Sequence, residues 1–389
     1  MKKKIFFLLS SMNVGGVEKA FLNMLPYIPE ETYEIHLGLL SYKGGFLKDI
    51  PEYVHVHEIA CYDLFKHVIN DPPRSVIKEM IREGRYLEAV IQTFLYLHFK
   101  LTNNRYWFYK YILRNIPEFP IHFDLAVAYA GPSQAVDYFI SKKIDATKKC
   151  GWVHFDVTKF GIDAGMTRKL YPKYNKIFLV SQTAKQNFDN LFPMLKHKTD
   201  VFYNIVSPQL ISQMSGFAPT FTDEYQGKRI LTVGRISEEK GQNFAIQALK
   251  RLRDKGYEVR WYFVGDGVFR KHCEELAVQL GVEENIIFLG VEKNPYGYMK
   301  DCDVYVQPSR HEGYCITLAE ARVFTHPIVS TDFVGAREQL STRSNGIVTG
   351  FGEEEIAAGI VQSLHMNDCD PGNRPVFHTD MHKFLDLLN

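Results

Sequence analysis

Four charged residues in the second half of the chain have the types and spacing of a site for an anionic, hydroxyl-rich ligand. Glu312 and Glu320 enclose seven residues, and Arg235 and Lys240 lie earlier in the segment Gly-Arg-Ile-Ser-Glu-Glu-Lys-Gly. Carboxylates accept hydrogen bonds from hydroxyl groups, whereas Arg and Lys neutralise phosphate oxygens. The set therefore predicts binding of a ligand that carries both sugar hydroxyls and phosphate.

The residues between the two glutamates predict where the phosphate would bind. If the segment from Gly313 onward is helical, a rise of about 1.5 Å per residue separates the carboxylates by roughly 10–12 Å. That is about the distance from the hexose to the ribose of a nucleotide-sugar. The free amides of Gly313, Tyr314 and Cys315 would lie between them and face the diphosphate. Together these features predict a sugar-transfer site, against the alternative that the two glutamates only form a solvated helix face.

These residues resemble the retaining glycosyltransferases of family four, also called group one, which have the GT-B fold. The resemblance is carried by the E-x(7)-E segment, its Glu-Gly-aromatic start, the following Ala-Glu-Ala and the upstream Gly-Arg…Lys-Gly loop. It is strongest from about 230 to 346, and weaker but collinear over the first 210 residues. It implies an α/β chain of two Rossmann-like domains that face each other across a cleft.

The resemblance also implies a role for each matching residue. Glu312 would hold hydroxyls of the donor sugar, and Glu320 would accept hydrogen bonds from the ribose. Arg235 and Lys240 would stabilise the diphosphate as it leaves. The family transfers its sugar with retention through a front-face, ion-pair-like path, and no carboxylate of this chain is evident as a nucleophile.

Further donor-side candidates stand where strands are predicted to end. Gly15 and Gly16 follow the first strand and permit close approach of a ligand to the backbone, although they would equally suit an ordinary turn. His154 stands in a Trp-Val-His segment that resembles one of the same family, and this resemblance implies that it points at the donor sugar; the alternative is a residue that serves only for packing. Gly234 begins the Gly-Arg…Lys-Gly loop. Val291 would contact the base edge through its backbone, or would simply end a strand.

Short apolar runs alternate with amphipathic stretches along the chain, which is typical of βα units around parallel sheets. Eleven strands are predicted, beginning with Ile5–Ser10 and ending with Pro327–Ser330, and ligands are expected at their carboxyl ends. Pro and Gly residues at 207–228 predict a hinge. We therefore expect an acceptor-side domain over 1–208, a nucleotide-sugar-binding domain over 209–375, and a helix within 376–389 that crosses back to the first domain.

The composition excludes several classes of function. The chain has 389 residues, too many for one core, and its net charge of +1 makes nucleic acid an unlikely partner. Its six cysteines form no CxxC pair and no zinc-type spacing, which is typical of reduced thiols in a cytoplasmic protein. The apolar start is too short for a signal peptide. No Asp-x-Asp segment is present, so we expect neither an essential metal nor a cofactor besides the donor substrate.

The segment 66–114 interleaves aromatic and basic residues, as in Arg-Tyr-Trp-Phe-Tyr-Lys-Tyr at 105–111. That pattern favours contact with the inner face of a membrane, as expected for a lipid-linked acceptor. Ordinary helix packing, with the aromatic side chains buried, would produce the same pattern.

Three functions remain open from the sequence. The expected function is transfer of a sugar from a UDP- or GDP-linked donor to a hydroxyl of a glycan or lipid-linked acceptor, in bacterial surface polysaccharide or glycan assembly. A GT-B sugar-nucleotide epimerase would bind the same donor without an acceptor. A non-catalytic homologue would bind the nucleotide-sugar without turnover.

Overall fold

A computed structural model describes residues 2–59, 62, 65–131, 133–159, 162–369 and 380–389. The chain forms two compact units. The first comprises 1–180, 185–202 and 380–389, and the second comprises 181–184 and 203–379.

The first unit is built on a parallel sheet of seven strands. Their order is β3-β2-β1-β4-β5-β6-β7, so the direction of winding reverses between β1 and β4. Central strands are apolar on both faces, as all five residues from Ile5 to Leu9 illustrate, because helices cover both sides of a parallel sheet. The strands are β1 Lys3–Leu9, β2 Tyr33–Leu39, β3 Val54–Glu58, β4 Phe123–Gly131, β5 Ala146–Val153, β6 Lys176–Leu179 and β7 Thr199–Val201.

The second unit is built on a parallel sheet of six strands in the order β10-β9-β8-β11-β12-β13, with the reversal between β8 and β11. Trp261 is fully buried in its core, where its indole N–H donates to Thr232 Oγ1 at 3.0 Å. Thr232 donates in turn to the carbonyl of Val306, which ties neighbouring strands together. The strands are β8 Lys228–Val233, β9 Val259–Val264, β10 Ile286–Gly290, β11 Val304–Gln307, β12 Ile328–Thr331 and β13 Gly346–Thr349.

Sixteen α-helices connect the strands in the described part of the chain. Those up to β7 are α1 Gly16–Met24, α2 Lys66–Asn70, α3 Pro73–Arg82, α4 Tyr86–Thr102, α5 Tyr106–Ile112, α6 Gln134–Lys142, α7 Ala164–Leu170 and α8 Gln182–Leu191. The remainder are α9 Pro208–Ser215, α10 Gln242–Asp254, α11 Arg270–Leu280, α12 Tyr296–Asp301, α13 Ile316–Ala321, α14 Ala336–Leu340, α15 Glu353–Leu364 and α16 Met381–Leu385. No described helix has the length and apolar character that a bilayer crossing requires.

All eleven predicted strands are present, with ends that differ by a few residues. Strands β3 and β13 were not predicted from the sequence. Strand β3 lies at a sheet edge and has the sequence Val-His-Val-His-Glu, which lacks a continuous apolar run. Strand β13 has only four residues, all partly exposed, and also lies at an edge.

The boundary between the units differs from the predicted position at 208. Tyr203 already belongs to the second unit, and the whole of 207–228 lies within that unit rather than between the two. The segment contains α9, and Asn294 donates a hydrogen bond to the carbonyl of Met214 in this helix. The Pro and Gly residues therefore shape a packed connection of the second unit.

Residues 380–389 complete the first unit. Phe384 is fully buried and stacks on Phe7 with 5.8 Å between ring centroids. Lys383 donates to the carbonyl of Val201, and Lys3 donates to that of Leu388. The helix itself spans Met381–Leu385, within the predicted 376–389. Residues 370–379 and Cys61, which entered the predictions on domains and thiols, lie outside the described residues.

Candidate functional site

The charged residues singled out in the sequence lie where the winding of the second sheet reverses. Strands β8 and β11 are neighbours, and their following loops contain Gly234–Gly241 and Pro308–Cys315. Loops at such a reversal diverge to opposite faces of the sheet and leave a crevice at the carboxyl ends of the strands. The topology thus brings Arg235, Lys240 and Glu312 to the same edge.

Gly241 allows the two loops to approach closely. Its φ of +72° lies in the left-handed region, and a Cβ at this position would overlap the carbonyl oxygen of Pro308. The amides of Arg310 and His311 bond to the carbonyl of Glu239 and hold the second loop against the first. Gly241 therefore lets the first loop pack against the second, and this packing places Lys240 next to the second loop.

Lys240 and Glu312 form an ion pair at the centre of the site. The Nζ to Oε1 distance is 2.5 Å, and the side chains are 19% and 10% exposed. Burial alone favours a neutral amine, but the Glu312 carboxylate outweighs it and raises the pKa of Lys240 above its ordinary value. The ammonium therefore stays charged at neutral pH in a partly desolvated position, where a phosphate oxygen would be strongly attracted.

A chain of hydrogen bonds orients the Glu312 carboxylate. Ser309 donates to Glu312 Oε1 at 2.7 Å, Gln307 donates to Ser309 Oγ at 2.8 Å, and Tyr305 donates to Gln307 Oε1 at 2.8 Å. Thr331 at the end of β12 donates to the carbonyl of Ser309. These positioning residues were not predicted from the sequence. The signal that could have indicated them is the alternation of Tyr305 and Gln307 with apolar residues along β11.

Arg235 and Gly234 lie on the first loop. The Arg235 side chain is 69% exposed and contacts Glu239 at 3.3 Å, so its guanidinium is accessible to a ligand. The Gly-Asp-Gly turn after β9 supports the loop, since a Cβ on Gly265 would overlap the Gly234 carbonyl and one on Gly267 that of Ile236. This turn has a structural role beneath the ligand-facing loop.

The helix between the glutamates begins later than predicted. Helix α13 starts at Ile316, not Gly313, and Cys315 before it adopts a left-handed conformation with φ +62°. Gly313 and Tyr314 belong to the loop, and the Tyr314 carbonyl accepts a hydrogen bond from Gln339. The assumption of continuous helix from Gly313, on which the estimated spacing of the carboxylates was based, is therefore wrong. Burial, together with Glu312, raises the pKa of the Cys315 thiol to about 12.

Glu320 is buried rather than solvated. It is 0% exposed, and Tyr296 donates to its Oε1 at 2.9 Å. The burial of Tyr296, together with Glu320, raises the pKa of the tyrosine far above its ordinary range, so the phenol remains a donor. Both glutamates thus face the interior of the site region, which excludes a solvated helix face. Val291, in contrast, is 57% exposed directly after β10.

The remaining predicted residues belong to the first unit. Gly15 precedes α1 in extended conformation, and Gly16 is the first residue of that nine-residue helix. The loop before them is held by backbone hydrogen bonds from Met12 to the Lys43 carbonyl and from Phe46 to the Met12 carbonyl. Gly15 therefore ends a fixed loop at the carboxyl end of β1, and Gly16 begins the helix that follows.

His154 follows β5 in the same unit. Its ring packs 4.7 Å from that of Tyr129, and both of its nitrogens are buried without a well-formed hydrogen bond to any described residue. Burial lowers the pKa of His154 to about 3, although the Tyr129 backbone opposes this shift, so the imidazole is neutral at physiological pH. A neutral imidazole can both donate and accept, so it can exchange a hydrogen bond with a ligand hydroxyl.

The site residues thus divide between the units: Gly15, Gly16 and His154 lie in the first, and the others in the second. No group of three or more His, Cys, Asp or Glu among the residues described could hold a metal ion. The strand-end loops of the second unit, together with helix α13, combine cations with the carboxylates of Glu312 and Glu320, which is an arrangement suited to a phosphorylated sugar.

Two parallel α/β units with these strand orders define the GT-B class of glycosyltransferase fold. Among solved structures, Anabaena HepE in complex with UDP and glucose superimposes with a TM-score of 0.64 at 20% identity, covering 96% of this chain and 92% of that one. Residues 222–372 match the family described as glycosyl transferases group 1. The matched region, 151 of the 389 residues, is similar to that family and contains the Lys240–Glu312 pair.

Two relatives illustrate the extent of the similarity. The uncharacterized glycosyltransferase MJ1059 of Methanocaldococcus jannaschii is 31% identical over 185 residues, which span 46% of this chain and 45% of that protein. The N-acetylgalactosamine-N,N'-diacetylbacillosaminyl-diphospho-undecaprenol 4-alpha-N-acetylgalactosaminyltransferase of Campylobacter jejuni is 25% identical over 357 residues, 90% of this chain and 87% of the relative. The chain thus spans about half of the first relative and most of the second.

Proposed function

We propose that the protein transfers a hexose-type sugar, with retention, from a UDP- or GDP-linked donor to a hydroxyl of a lipid-linked glycan at a membrane surface, in surface polysaccharide or glycan assembly. The observation that carries the donor side is the ion pair of Lys240 with Glu312 at the strand reversal. It joins a phosphate-binding cation to a hydroxyl-binding carboxylate in one place.

The charges of the site suit departure of a nucleoside diphosphate. Cleavage of the anomeric C–O bond leaves positive charge on the sugar and negative charge on the diphosphate. Lys240 is held in place before the reaction, and the exposed guanidinium of Arg235 offers a second cation. Preorganised charges of this kind are usually the largest single contribution to catalysis.

The two carboxylates would bind opposite ends of the donor. Glu312, oriented by Ser309, would accept hydrogen bonds from the sugar hydroxyls. Glu320, held by Tyr296, would accept from the ribose, and Val291 would meet the base through its backbone. His154 would hydrogen-bond a hydroxyl of the sugar, with retention following a front-face path in which the departing diphosphate assists the acceptor.

Charge neutralisation by Lys240 and Arg235 would make an essential divalent metal unnecessary. The expected result is that dialysis against a chelator leaves kcat/KM unchanged within twofold. A loss restored by Mg²⁺ or Mn²⁺ would overturn this part of the proposal.

The acceptor side of the proposal rests on helix α4. Five large apolar residues at heptad-like spacing form one outward face of this helix, each more than half exposed: Leu87, Val90, Phe94, Leu97 and Leu101. We call them the apolar stripe. Contiguous exposed apolar surface marks an interaction site. The Campylobacter relative, by its name, acts on a diphospho-undecaprenol-linked substrate, which favours a membrane as the partner of the stripe.

The charge of segment 66–114 agrees with a membrane partner. It contains nine Lys and Arg against four Asp and Glu, a net charge of +5 in a chain whose total is +1. Trp107 is 44% exposed and lies beneath the ammonium of Lys110 at 4.8 Å, so this residue is not packed inward, whereas Tyr109 is only 3% exposed. Each cation near an anionic surface contributes about 1 kcal/mol.

Vesicle co-sedimentation tests the membrane contact. Wild type should bind anionic vesicles at low salt, and Phe94→Ser with Leu97→Ser should reduce binding more than tenfold, because the stripe would lose its apolar contact. Val268→Ser with Val278→Ser, at exposed apolar positions outside segment 66–114, is the matched control and should leave binding unchanged. Unchanged binding of the stripe variant would overturn the membrane contact, and so would dimerisation through the stripe in place of vesicle binding.

A donor panel with a polyprenyl-diphosphate glycan tests the transfer itself. One UDP- or GDP-sugar should give acceptor-dependent nucleoside diphosphate release, and the product linkage should keep the donor's anomeric configuration by NMR. An altered nucleotide-sugar without acceptor would identify an epimerase. Binding without turnover of any donor would identify a non-catalytic homologue, and an inverted linkage would refute retention.

A further inference from the structure

A cavity lies on the opposite side of helix α4 from the apolar stripe. Its volume is about 300 Å³, and α2, α3, α4 and α5 all contribute to its wall. The lining is mainly apolar, with Val76, Leu95 and Phe99 as examples. We call it the helical cavity. It belongs entirely to the first unit and contains none of the donor-site residues.

The size of the helical cavity suits a chain of about ten carbon atoms. An engineered apolar cavity of roughly 150 Å³ accommodates one benzene molecule, and small-molecule sites begin at roughly 300 Å³. A hydrocarbon bound in a space of this size would make dispersion contacts with the apolar side chains that line it.

One polar group that lines the helical cavity lacks a hydrogen-bond partner among the described residues. Gln92 is 5% exposed, and its Nε2 is buried without a hydrogen-bond partner among the described residues. Gln92 lies on α4, between Ala89 and Leu95 on the inward side of the helix, and lines the cavity. A buried donor without an acceptor is destabilising. A ligand oxygen inside the cavity would satisfy it.

A cationic side chain also lines the helical cavity. Arg105 lines the cavity, its guanidinium lies 4.3 Å from the ring centroid of Phe99, and its side-chain contact with Gln134 is long, at 3.4 Å. Asp71 and Asn70 are exposed parts of the lining and indicate a polar side to the cavity. The wall thus combines an apolar interior with a buried donor and a guanidinium.

We propose that the helical cavity binds the hydrocarbon chain of a lipid phosphate, with an oxygen of the head group accepting a hydrogen bond from Gln92 and facing Arg105. The inference rests on the proposed function in that the lipid would be the carrier of the acceptor glycan. The stripe and the cavity occupy opposite faces of α4, so one helix contacts the membrane outward and a single lipid chain inward.

Calorimetric titration with geranyl phosphate, below the concentration at which it forms micelles, tests the proposal on the whole chain. Saturable binding of one molecule is expected, with no binding of inorganic phosphate. Val76→Phe and Ile77→Phe fill the space in two different ways, and each should weaken binding at least tenfold while the protein remains folded by circular dichroism.

Gln92→Leu gives a readout that a purely structural role would not produce. Removing the unpaired donor should raise the thermal midpoint of the free protein, yet weaken geranyl phosphate binding about tenfold, as expected for one hydrogen bond to a charged group. Geraniol, which lacks the phosphate, should bind both proteins within threefold of each other.

The matched control is Phe94→Ser on the outward face of the same helix, which should leave the affinity unchanged. If Val76→Phe and Ile77→Phe bind geranyl phosphate as tightly as wild type does, or if Phe94→Ser loses binding, the ligand adsorbs to the apolar stripe and the proposal is overturned. Absence of geranyl phosphate binding would overturn it outright. Because no nucleotide-sugar enters this assay, such a failure is distinct from failure of the donor panel.

Discussion

Replacing Lys240 by Met should separate the catalytic role of the Lys240–Glu312 pair from its structural role. The substitution keeps the length of the side chain but leaves Glu312, only 10% exposed, without its cation. Breaking a fully buried pair costs about 3–5 kcal/mol. Here Ser309 still donates to Glu312 and both side chains retain some solvent contact, so we expect a loss of about 2 kcal/mol in the free energy of unfolding.

A second substitution tests whether this loss comes from the pair. Glu312→Gln retains an acceptor for Ser309 while removing the charge. If the ion pair accounts for the loss, the double variant Lys240→Met with Glu312→Gln should be more stable than the sum of the single effects predicts, by about 2 kcal/mol. Urea denaturation of the four proteins provides these values.

Activity should follow a different pattern across the same four proteins. Loss of one preorganised charge-stabilising group costs about 100-fold in rate. All three variants should therefore lose at least 100-fold in kcat/KM, measured as acceptor-dependent nucleoside diphosphate release, and the double variant should not recover. Additive stability losses would refute the structural reasoning, and a double variant with near-normal activity would refute the catalytic reasoning.

Three further substitutions test other parts of the site. Gly241→Ala should cost more than about 2 kcal/mol of unfolding free energy, because its Cβ would overlap the Pro308 carbonyl. The control Gly256→Ala, also at positive φ but with no atom nearby, should cost only about 1 kcal/mol. Equal losses in a urea titration would contradict the argument that Gly241 is needed for the close approach of the two loops. Tyr296→Phe should weaken nucleoside diphosphate binding about fivefold by calorimetry through loss of its bond to Glu320, whereas unchanged affinity would remove it as a positioning residue. The pKa of His154 is about 3 in the folded protein against 6.5 in the unfolded chain. The free energy of unfolding of wild type should therefore be at its full value above pH 6.5 and should fall by about 2 kcal/mol by pH 5. If wild type and a His154→Phe variant show the same pH dependence of unfolding, the buried imidazole does not titrate in this way.

Local patterns in the sequence predicted most of the second sheet and the loops that contain Arg235, Lys240 and Glu312. Buried parallel strands are continuous apolar runs, and in this fold the residues directly after them meet at one edge. Strands β3 and β13 escaped detection because edge strands need less apolar sequence.

The start of α13 could not be predicted because Cys315, not a neighbouring glycine, adopts the left-handed conformation before the helix. Propensity alone would assign positive φ to Gly313. Tertiary contacts, including the bond from Gln339 to the Tyr314 carbonyl, hold the loop in its observed form.

The hydrogen-bond chain from Tyr305 to Glu312 was likewise invisible before folding. Its members follow one another through space at two- and three-residue intervals, and nothing in their types separates them from ordinary polar residues at a strand end. The helical cavity depends on how α2, α3, α4 and α5 pack together, and patterns of residue type in the sequence do not determine that packing.

Calorimetric titration with UDP and GDP is the most direct test of the claim that the second unit binds the donor through these residues. One of the two nucleotides should bind wild type saturably, Glu320→Ala and Lys240→Met should each weaken binding at least tenfold, and Glu312→Gln should stay within threefold. Absence of binding by both nucleotides would contradict the account. So would a loss of affinity in Glu312→Gln that is not seen in Glu320→Ala.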